Sequence, residues 1–379
     1  MKMKLSFFVN YLNHHQVLVA DLLYKRLGSQ FCFVATRSVD PAQMKGGIDF
    51  SNREYCIIAS KNKESREYAL RLARESETCV FGAGSLEYAI ERAKHNPQGL
   101  SIERGERWLK RGIINVFSPT FLKWWFSYQK YFRKANFYRL CNSAYASSDM
   151  KKVHAYSDRC YKWGYFTKVD RQLAYKKVNS QSLHVSILWC ARFISWKHPE
   201  LAILLAKLLK DNKFDFHLDM IGEGIELNKI KSMVQSLNLT ERVSFLGNLS
   251  NEQVYDQMYK HDIFLLTSDR NEGWGAVANE AMSNGCVLVG ADEVGSIPYL
   301  VIDNVNGMIF RSCNIDSLYE KVLYLINNPK ERERMSKAGM KSMREMWSPE
   351  NASSSLLEFI ESLHKKEIPS ILYGPCSKA

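Results

Sequence analysis

Two glutamates, Glu272 and Glu280, flank the segment of this sequence whose residue types are best suited to chemistry. Between them lie Gly273, Trp274 and Gly275, and the segment follows a predicted strand and opens a predicted helix. The glycines allow backbone N–H groups to approach a ligand closely, and a helix N-terminus favours an anion there. A carboxylate in such a loop can accept paired hydrogen bonds from adjacent sugar hydroxyls. The segment therefore predicts a site for a ligand rich in hydroxyls that also carries negative charge.

The elements that position this segment alternate along the chain, as in parallel sheets whose strands are joined by helices. The first half is predicted to contain strands at residues 5–9, 31–35, 55–59 and 79–81, with helices at 17–27 and 86–94. The second half is predicted to contain strands at 185–191, 216–221, 243–246, 263–267 and 287–291, with helices at 200–210, 226–237, 251–259, 276–284, 315–327, 329–347 and 349–364. The predicted fold class is α/β, with two Rossmann-like domains facing each other across a cleft.

The length of 379 residues favours two domains over one. The expected boundaries are a first Rossmann-like domain at residues 1–175 and a second at 176–345, joined by a polar stretch near Lys168 to Ser182. Residues 346–379 are expected to form a C-terminal helix that packs back on the first domain, followed by a frayed tail from Tyr373 to Ala379.

The net charge of +12 is concentrated in the first half of the chain. Residues 1–180 contain 31 Lys/Arg and 15 Asp/Glu, whereas the remainder contains 21 and 25. Such a basic half predicts contact with something anionic, such as a bilayer surface, a phosphorylated acceptor or a nucleic acid. No apolar run reaches the roughly 18 residues that a membrane-spanning helix needs. The nine cysteines include no Cys-x-x-Cys pair, so reduced thiols and a cytoplasmic location are expected.

Residues 272–280 resemble the signature of the retaining glycosyltransferases of family 4, which have the two-domain GT-B fold. The resemblance implies that Glu272 contacts the donor sugar and that Glu280 holds the ribose. It also implies that the backbone amides of Gly273, Trp274 and Gly275 contact sugar and phosphate. The implied reaction is hexosyl transfer from a nucleotide-diphosphate sugar to a glycan or lipid-linked acceptor, as in surface polysaccharide assembly, with the anomeric configuration retained.

Arg192 and Lys197 resemble the cation pair with which this family binds the donor diphosphate. Cations suit that position because the charge of the leaving diphosphate grows as the glycosidic bond breaks. The sequence departs from the usual pattern at Ala191 and His198, where glycine is common. Gly222 follows a strand where the family lines its nucleotide pocket. No Asp-x-Asp occurs, so neither a metal nor another cofactor is expected.

The first half offers weaker candidates. The loop at residues 10–16 lacks the glycines common in related enzymes, so a backbone cradle for phosphate is not expected there. His14 and His15 are expected to cap a helix or lie at the surface, and a position that faces the cleft is the alternative. The family often places a histidine at the end of a middle strand in this domain. Glu103 stands in the corresponding stretch as a candidate catalytic residue, and a local ion pair with Arg104 is the alternative.

The segment from Arg104 to Arg139 contains nine Lys/Arg and one acid, Glu106, interleaved with eleven aromatic residues. Basic residues beside aromatic ones suit a segment that lies on an anionic membrane, which would fit a lipid-linked acceptor. A packed helix with a basic outer face explains the same pattern equally well.

Two other classes of protein fit only parts of the sequence. Gly-x-Gly pairs at 82–84 and 222–224 follow predicted strands, as in NAD-dependent oxidoreductases, but Glu87 and Leu227 occupy the position of the required third glycine. A basic nucleic-acid-binding protein would show a helix-turn-helix, zinc-finger or aromatic RNA-binding signature, and none is present. No nucleic-acid partner is therefore expected.

Overall fold

The computed structural model describes residues 4–38, 50–170, 172–174 and 184–379. Most of the predicted linker from Lys168 to Ser182 lies outside these residues. The chain divides into two compact units. The N-terminal unit comprises Met1–Thr167 together with Ser348–Ala379, and the C-terminal unit comprises Lys168–Trp347.

The N-terminal unit is built on a sheet of seven parallel strands in the order β3-β2-β1-β4-β5-β6-β7. The strands are β1 (Leu5–Val9), β2 (Phe31–Ala35), β3 (Cys56–Ile58), β4 (Thr78–Phe81), β5 (Leu100–Gly105), β6 (Phe137–Cys141) and β7 (Cys160–Lys162). The inner strands are almost wholly buried, as expected for a parallel sheet covered by helices on its faces.

Several helices of the N-terminal unit begin at a polar side chain that accepts a hydrogen bond from one of their first N–H groups. The helices are α1 (His14–Leu27), α2 (Lys63–Glu75), α3 (Leu86–His95), α4 (Pro119–Lys130) and α5 (Ala146–Lys152). The Asn13 side chain accepts a hydrogen bond from the backbone N–H of His15, and Ser118 caps α4 ahead of Pro119.

The C-terminal unit contains six parallel strands in the order β10-β9-β8-β11-β12-β13. The strands are β8 (Val185–Cys190), β9 (Phe216–Ile221), β10 (Val243–Gly247), β11 (Ile263–Leu266), β12 (Val287–Ala291) and β13 (Met308–Phe310). The helices are α6 (Pro199–Asp211), α7 (Leu227–Ser236), α8 (Asn251–Lys260), α9 (Val277–Ser283), α10 (Ile297–Leu300), α11 (Ile315–Asn327) and α12 (Pro329–Glu345).

The last helix, α13 (Pro349–His364), belongs to the N-terminal unit and packs against α1. Its Phe359 ring packs on Tyr161 of β7 at 4.6 Å between centroids. His364 Nε2 shares a 2.8 Å hydrogen bond with Thr78 Oγ1. The end of the chain is therefore tied to the same sheet as its beginning.

The prediction of a frayed tail was wrong. Cys376 is fully buried, and its N–H donates to the carbonyl of Lys162 at 2.7 Å. The N–H of Lys162 donates in turn to the carbonyl of Ser377, and Ala379 donates to Cys160. The tail thus runs antiparallel beside β7, because the backbone of that strand offers partners that a local sequence pattern does not show.

No helix in the described ranges is both long enough and apolar enough to cross a membrane. All nine cysteines lie within those ranges, and each is a free thiol.

Candidate active site

The strand order of the C-terminal unit reverses between β8 and β11, which lie side by side at its centre. In an open parallel sheet, the loops that leave the carboxyl ends of two such strands diverge and leave a crevice for a ligand. Arg192 and Lys197 lie in the loop after β8, and Glu272 lies in the loop after β11. The fold therefore brings the two motifs predicted from the sequence to the same place.

Lys197 and Glu272 form an ion pair through Nζ and Oε2. Ser268 Oγ donates a second hydrogen bond to Glu272 Oε2 at 3.3 Å. The Lys197 ammonium also lies 4.5 Å from the centre of the Trp196 ring. A cation and a carboxylate that sequence analysis assigned to diphosphate and to sugar hydroxyls are thus in direct contact, 75 residues apart in the chain.

Two hydrogen bonds made by the Thr267 hydroxyl fix the loop that carries Lys197. Thr267 Oγ1, directly after β11, donates to the Lys197 carbonyl at 2.6 Å. The same hydroxyl accepts a hydrogen bond from Trp189 Nε1 of β8 at 2.9 Å. These buried bonds hold the cation relative to both central strands.

Gly222 and Gly224 allow the loop after β9 to pack directly on the loop after β8. A Cβ on Gly222 would come within 2.1 Å of the Ala191 carbonyl oxygen, and one on Gly224 within 2.3 Å of the Phe193 carbonyl oxygen. Both residues also have positive φ angles, of 126° and 155°. Glycine at 222 is therefore required by backbone packing, and the structure adds this reason to the nucleotide-lining role predicted for it.

The Trp274 indole points into the core of the C-terminal unit. It is 1% exposed, its Nε1 donates to Asn279 Oδ1 at 2.8 Å, and its ring packs near Trp347. Gly275 adopts a φ of 82°, with a virtual Cβ 3.2 Å from Glu272 Cγ. Only the backbone of the segment 273–275 can therefore serve a ligand, as the family resemblance implies.

Glu280 lies on α9, and its surroundings bring the pKa of its carboxyl close to neutral pH. Burial raises the pKa of its carboxyl to about 7, and a 3.4 Å hydrogen bond from the Tyr255 hydroxyl opposes the rise. Burial, with a smaller contribution from the Glu280 carboxylate, raises the pKa of Cys190 to about 12, so this thiol at the end of β8 stays protonated. A carboxyl with a pKa near 7 can either accept hydrogen bonds or donate one at neutral pH.

Arg192 is exposed, unlike Lys197. Its backbone carbonyl accepts a hydrogen bond from the Ile194 N–H, which fixes the loop while the residue remains exposed. The structure thus places this residue in the right loop without engaging its side chain in the Lys197–Glu272 pair.

His198 explains one departure from the family pattern. Its φ and ψ of 49° and 52° lie in the left-handed region, where glycine is favoured. The imidazole occupies the position by bonding to neighbours, with Nδ1 2.7 Å from Glu200 Oε1 and Nε2 3.4 Å from Asp269 Oδ2. The hydrogen bond with Glu200 raises the pKa of His198, although burial opposes it.

The N-terminal unit has a crevice at its own reversal of strand order, between β1 and β4. A cavity of about 590 Å³ opens there at the carboxyl ends of β1, β4, β5 and β6. Its walls carry four cations and two carboxylates, namely Arg104, Arg107, Lys110, Arg139, Glu103 and Glu106. Two tryptophans, Trp108 and Trp124, also line it.

Glu103 lies at this cavity but does not pair with Arg104, so the alternative suggested by the sequence was wrong. Its partner is Arg139, the residue beside it across the parallel register of β5 and β6. Both side chains are buried, and Arg139 also donates to the Glu106 carbonyl at 2.9 Å. The pair accounts for Glu103 structurally, and its catalytic role stays a prediction.

His15 was assigned to the surface, but it lines the cavity. Its ring stacks on Tyr165 with centroids 5.3 Å apart, while Asn13 performs the capping expected of the histidines. Asn142, which follows β6, was missed altogether, since β6 itself was not predicted. The signal for β6 is the short run Phe137–Cys141, in which an arginine sits among apolar residues.

The chain is similar to known proteins both in sequence and in fold. Residues 171–342 match the family described as glycosyl transferases group 1. An uncharacterised glycosyltransferase of Methanocaldococcus jannaschii is 35% identical over 136 residues, which are 36% of this chain and 37% of that protein. The poly(glycerol-phosphate) α-glucosyltransferase of Bacillus subtilis is 25% identical over 202 residues, or 52% of this chain and 30% of that protein. The chain thus spans about a third of the length of these relatives.

The crystal structure of Anabaena Alr3699/HepE in complex with UDP superposes with a TM-score of 0.70. The match has 15% sequence identity and covers 95% of this chain and 100% of that one, so it bears on the fold alone. It confirms the predicted GT-B class of two Rossmann-like α/β domains. The sequence matches show that residues 171–342 are similar to the glycosyl transferases group 1.

Proposed function

We propose that the protein is a glycosyltransferase that moves a sugar from a nucleoside-diphosphate donor to a glycan or lipid-linked acceptor. The observation that carries this proposal is the contact between Lys197 and Glu272 where β8 and β11 end side by side. A nucleotide-sugar presents phosphate charge next to sugar hydroxyls, so a cation and a carboxylate in contact match two adjacent parts of one ligand.

Each residue then has a distinct task. Lys197 and the exposed Arg192 neutralise the diphosphate, whose charge increases as it leaves. Glu272 accepts hydrogen bonds from hydroxyls of the donated sugar, and Glu280 accepts them from the ribose. Because Ser268 and Lys197 already hold Glu272 in place, little rearrangement is needed when the donor binds.

The acceptor side of the proposal rests on the cavity of the N-terminal unit. Its cations outnumber its carboxylates by four to two. Arg107 is balanced from outside the cavity wall by a double hydrogen bond with Asp149, with two distances of 3.1 Å. Arg104 has no carboxylate within ion-pairing distance in the described part of the chain, and burial lowers its pKa. An acceptor that carries phosphate or carboxylate groups would supply the missing negative charge.

The names of two relatives agree with such an acceptor. The Bacillus subtilis protein is a poly(glycerol-phosphate) α-glucosyltransferase, and a Staphylococcus aureus relative is a poly(ribitol-phosphate) α-N-acetylglucosaminyltransferase. We therefore propose a role in the synthesis of a surface polysaccharide, at the cytoplasmic side of a membrane, with retention of the anomeric configuration. No cluster of His, Cys, Asp or Glu side chains suited to a metal occurs among the described residues, and metal independence stays a prediction.

The first experiment is a thermal shift series on the full chain with UDP, UDP-glucose, other nucleotide-sugars, NAD and duplex DNA. Stabilisation by a nucleotide or nucleotide-sugar, and not by NAD or DNA, is the expected result, because a ligand that binds only the folded state raises its melting temperature. Stabilisation by NAD or DNA alone would contradict the proposal.

Hydrolysis of the same panel of nucleotide-sugars, with and without EDTA, then identifies the donor. We expect hydrolysis of at least one member, unchanged by the chelator. Once an acceptor is found, NMR of the product gives the configuration of the new bond. A β-linked product from an α-linked donor would rule out retention.

A further inference from the structure

Large apolar side chains are exposed on one short stretch of the N-terminal unit. Ile113, Ile114 and Phe117 are 69%, 71% and 79% exposed, and Leu122 and Phe126 are 37% and 59% exposed. We call these five residues the outer patch. Apolar side chains that stand this far into solvent so close together mark a surface that is covered by something in use.

The local structure holds the outer patch outward. Residues Gly112–Phe117 form a turn of 3₁₀ helix that contacts α4. On α4, Phe121 and Tyr128 are buried seven residues apart, so they share one face of the helix. Leu122 and Phe126, four residues apart, lie on the opposite side and remain exposed. The patch is therefore fixed by folded structure and is not the result of a disordered loop.

The stretch of chain that carries the outer patch is uniformly basic. No Asp or Glu occurs between residues 111 and 134. Five exposed cations lie in this stretch, namely Arg111, Lys123, Lys130, Arg133 and Lys134. Lys123 and Lys130 are seven residues apart on α4, so they flank the exposed apolar residues on the same side of the helix.

We propose that the outer patch and its five cations form the surface by which the protein docks on an anionic lipid bilayer. Apolar residues enter the boundary between headgroups and acyl chains, while the lysines and arginines bind anionic headgroups. The identification deepens the proposed function, since a lipid-linked acceptor would be reached from such a surface. The same segment also walls the cavity, through Asn115, Ser118 and Trp124.

A second copy of this chain is the main alternative occupant. A symmetric pair would place the same surface of each copy against the other. Each copy would then bring five cations and no acid from residues 111–134 into the contact. Like charges opposed in this way are unfavourable, whereas anionic lipids complement them.

The test is flotation of the full chain with vesicles of phosphatidylcholine alone or with phosphatidylglycerol, at low and high salt. We expect binding that requires the anionic lipid and weakens as salt rises. The variant Ile113→Ser/Ile114→Ser/Phe117→Ser should bind about tenfold or more weakly, because three apolar side chains no longer enter the bilayer. The variant Lys123→Gln/Lys130→Gln/Arg133→Gln should bind more weakly at low salt and lose most of its salt dependence.

A matched control is available in the same unit. Ile368, Leu372 and Tyr373 are 92%, 79% and 74% exposed, so Ile368→Ser/Leu372→Ser/Tyr373→Ser removes a comparable apolar surface. This control should bind vesicles as the unmodified chain does. Equal loss in the control, or no salt-sensitive binding by the unmodified chain, would overturn the proposal. So would a concentration-dependent dimer that dissociates in the outer-patch variant while vesicle binding is absent.

Hydrolysis of the nucleotide-sugar in solution separates this proposal from the proposed function. The outer-patch variant should retain hydrolysis, because none of its three residues lines the cavity or the donor loops. If vesicles bind but no nucleotide-sugar is hydrolysed, the proposed function fails and the docking surface stands. If hydrolysis is normal and vesicles do not bind, the docking surface fails alone.

Discussion

The two units share a topology but use charge differently at equivalent positions. Each has a parallel sheet whose strand order reverses beside its first strand, and each has charged residues at that reversal. In the N-terminal unit, Glu103 and Arg139 are 5% and 0% exposed and are fixed in the sheet itself. In the C-terminal unit, Lys197 and Glu272 are 12% and 13% exposed and lie in loops.

The difference indicates which charges hold the fold and which are available to a ligand. A buried pair on adjacent strands has lost its water and depends on its partner, so its removal damages the structure. A pair in loops at the carboxyl end of the sheet retains access to solvent and can exchange its partner for a ligand. Whether a charged pair lies within strands or in the loops after them therefore distinguishes structural charges from ligand-accessible ones better than residue type does.

Arg139→Met should have the largest effect on stability. It leaves the Glu103 carboxylate buried without its cation, which costs about 3–5 kcal/mol of unfolding free energy. Urea denaturation followed by circular dichroism measures the loss. In the double variant Glu103→Leu/Arg139→Met most of the stability should return, because no charge is then left buried. A loss below about 1 kcal/mol in the single variant would show that the pair is not structural.

Glu272→Ala should instead lower activity while the fold remains intact. Removal of one positioned group that contacts the reacting sugar typically costs about 100-fold in turnover. Initial rates of nucleotide-sugar hydrolysis measure the effect, and the melting temperature shows that the variant is folded. Glu252→Ala, at an exposed position on α8, is the control for loss of a carboxylate and should have normal rates. Near-normal rates in both Glu272→Ala and Arg192→Ala would remove the proposed donor site.

Glu280 should make the ligand-free protein less stable as the pH rises. Its folded pKa of about 7 lies above its ordinary value of 4.5, so folding favours the protonated form. The stability it contributes is full below pH 4.5 and is lost as the pH passes 7, an effect on the order of 3 kcal/mol. Glu280→Gln should therefore match the unmodified chain at pH 4.5 and melt at a higher temperature at pH 8. If the melting temperatures of Glu280→Gln and of the unmodified chain differed by the same amount at both pH values, the shifted pKa would be contradicted.

Substitution of His198 should have the smallest effect on stability. The difference between the alanine and glycine variants distinguishes backbone strain from loss of the imidazole contacts. His198→Ala keeps the left-handed backbone and loses the contacts with Glu200 and Asp269, which should cost about 1 kcal/mol. His198→Gly loses the same contacts but relieves the strain, so its melting temperature should stay close to that of the unmodified chain. If glycine were the more destabilising replacement, the imidazole contacts would outweigh the strain.

Much of the fold could be predicted because short apolar runs are separated by glycine, proline and polar caps. The bounds expected for β1, β2, β9 and β12 coincide with those in the structure, and so do those of α11 and α13. The segment proposed to bind the donor was equally visible, since Glu272 to Glu280 are close in sequence and two glycines mark the loop. A site of this kind can be predicted because its residues lie at nearly consecutive positions in the sequence.

The remainder depends on contacts between distant residues. Arg139 meets Glu103 only through the register of two strands, and β6 is a five-residue run with a charge at its centre. Likewise, the contact of Lys197 with Glu272 follows from the adjacency of β8 and β11, which no local pattern encodes. An arginine within an otherwise apolar run is the one signal that could have indicated a buried partner.

The tail that runs beside β7 also protects the sheet. Without residues 374–379, the outer side of β7 would present unpaired N–H and C=O groups, and an open edge of this kind recruits strands from other molecules. Shortening the chain there should promote aggregation even though no residue of either crevice is removed. An affinity tag is accordingly better placed at the amino terminus, where it does not compete for that edge.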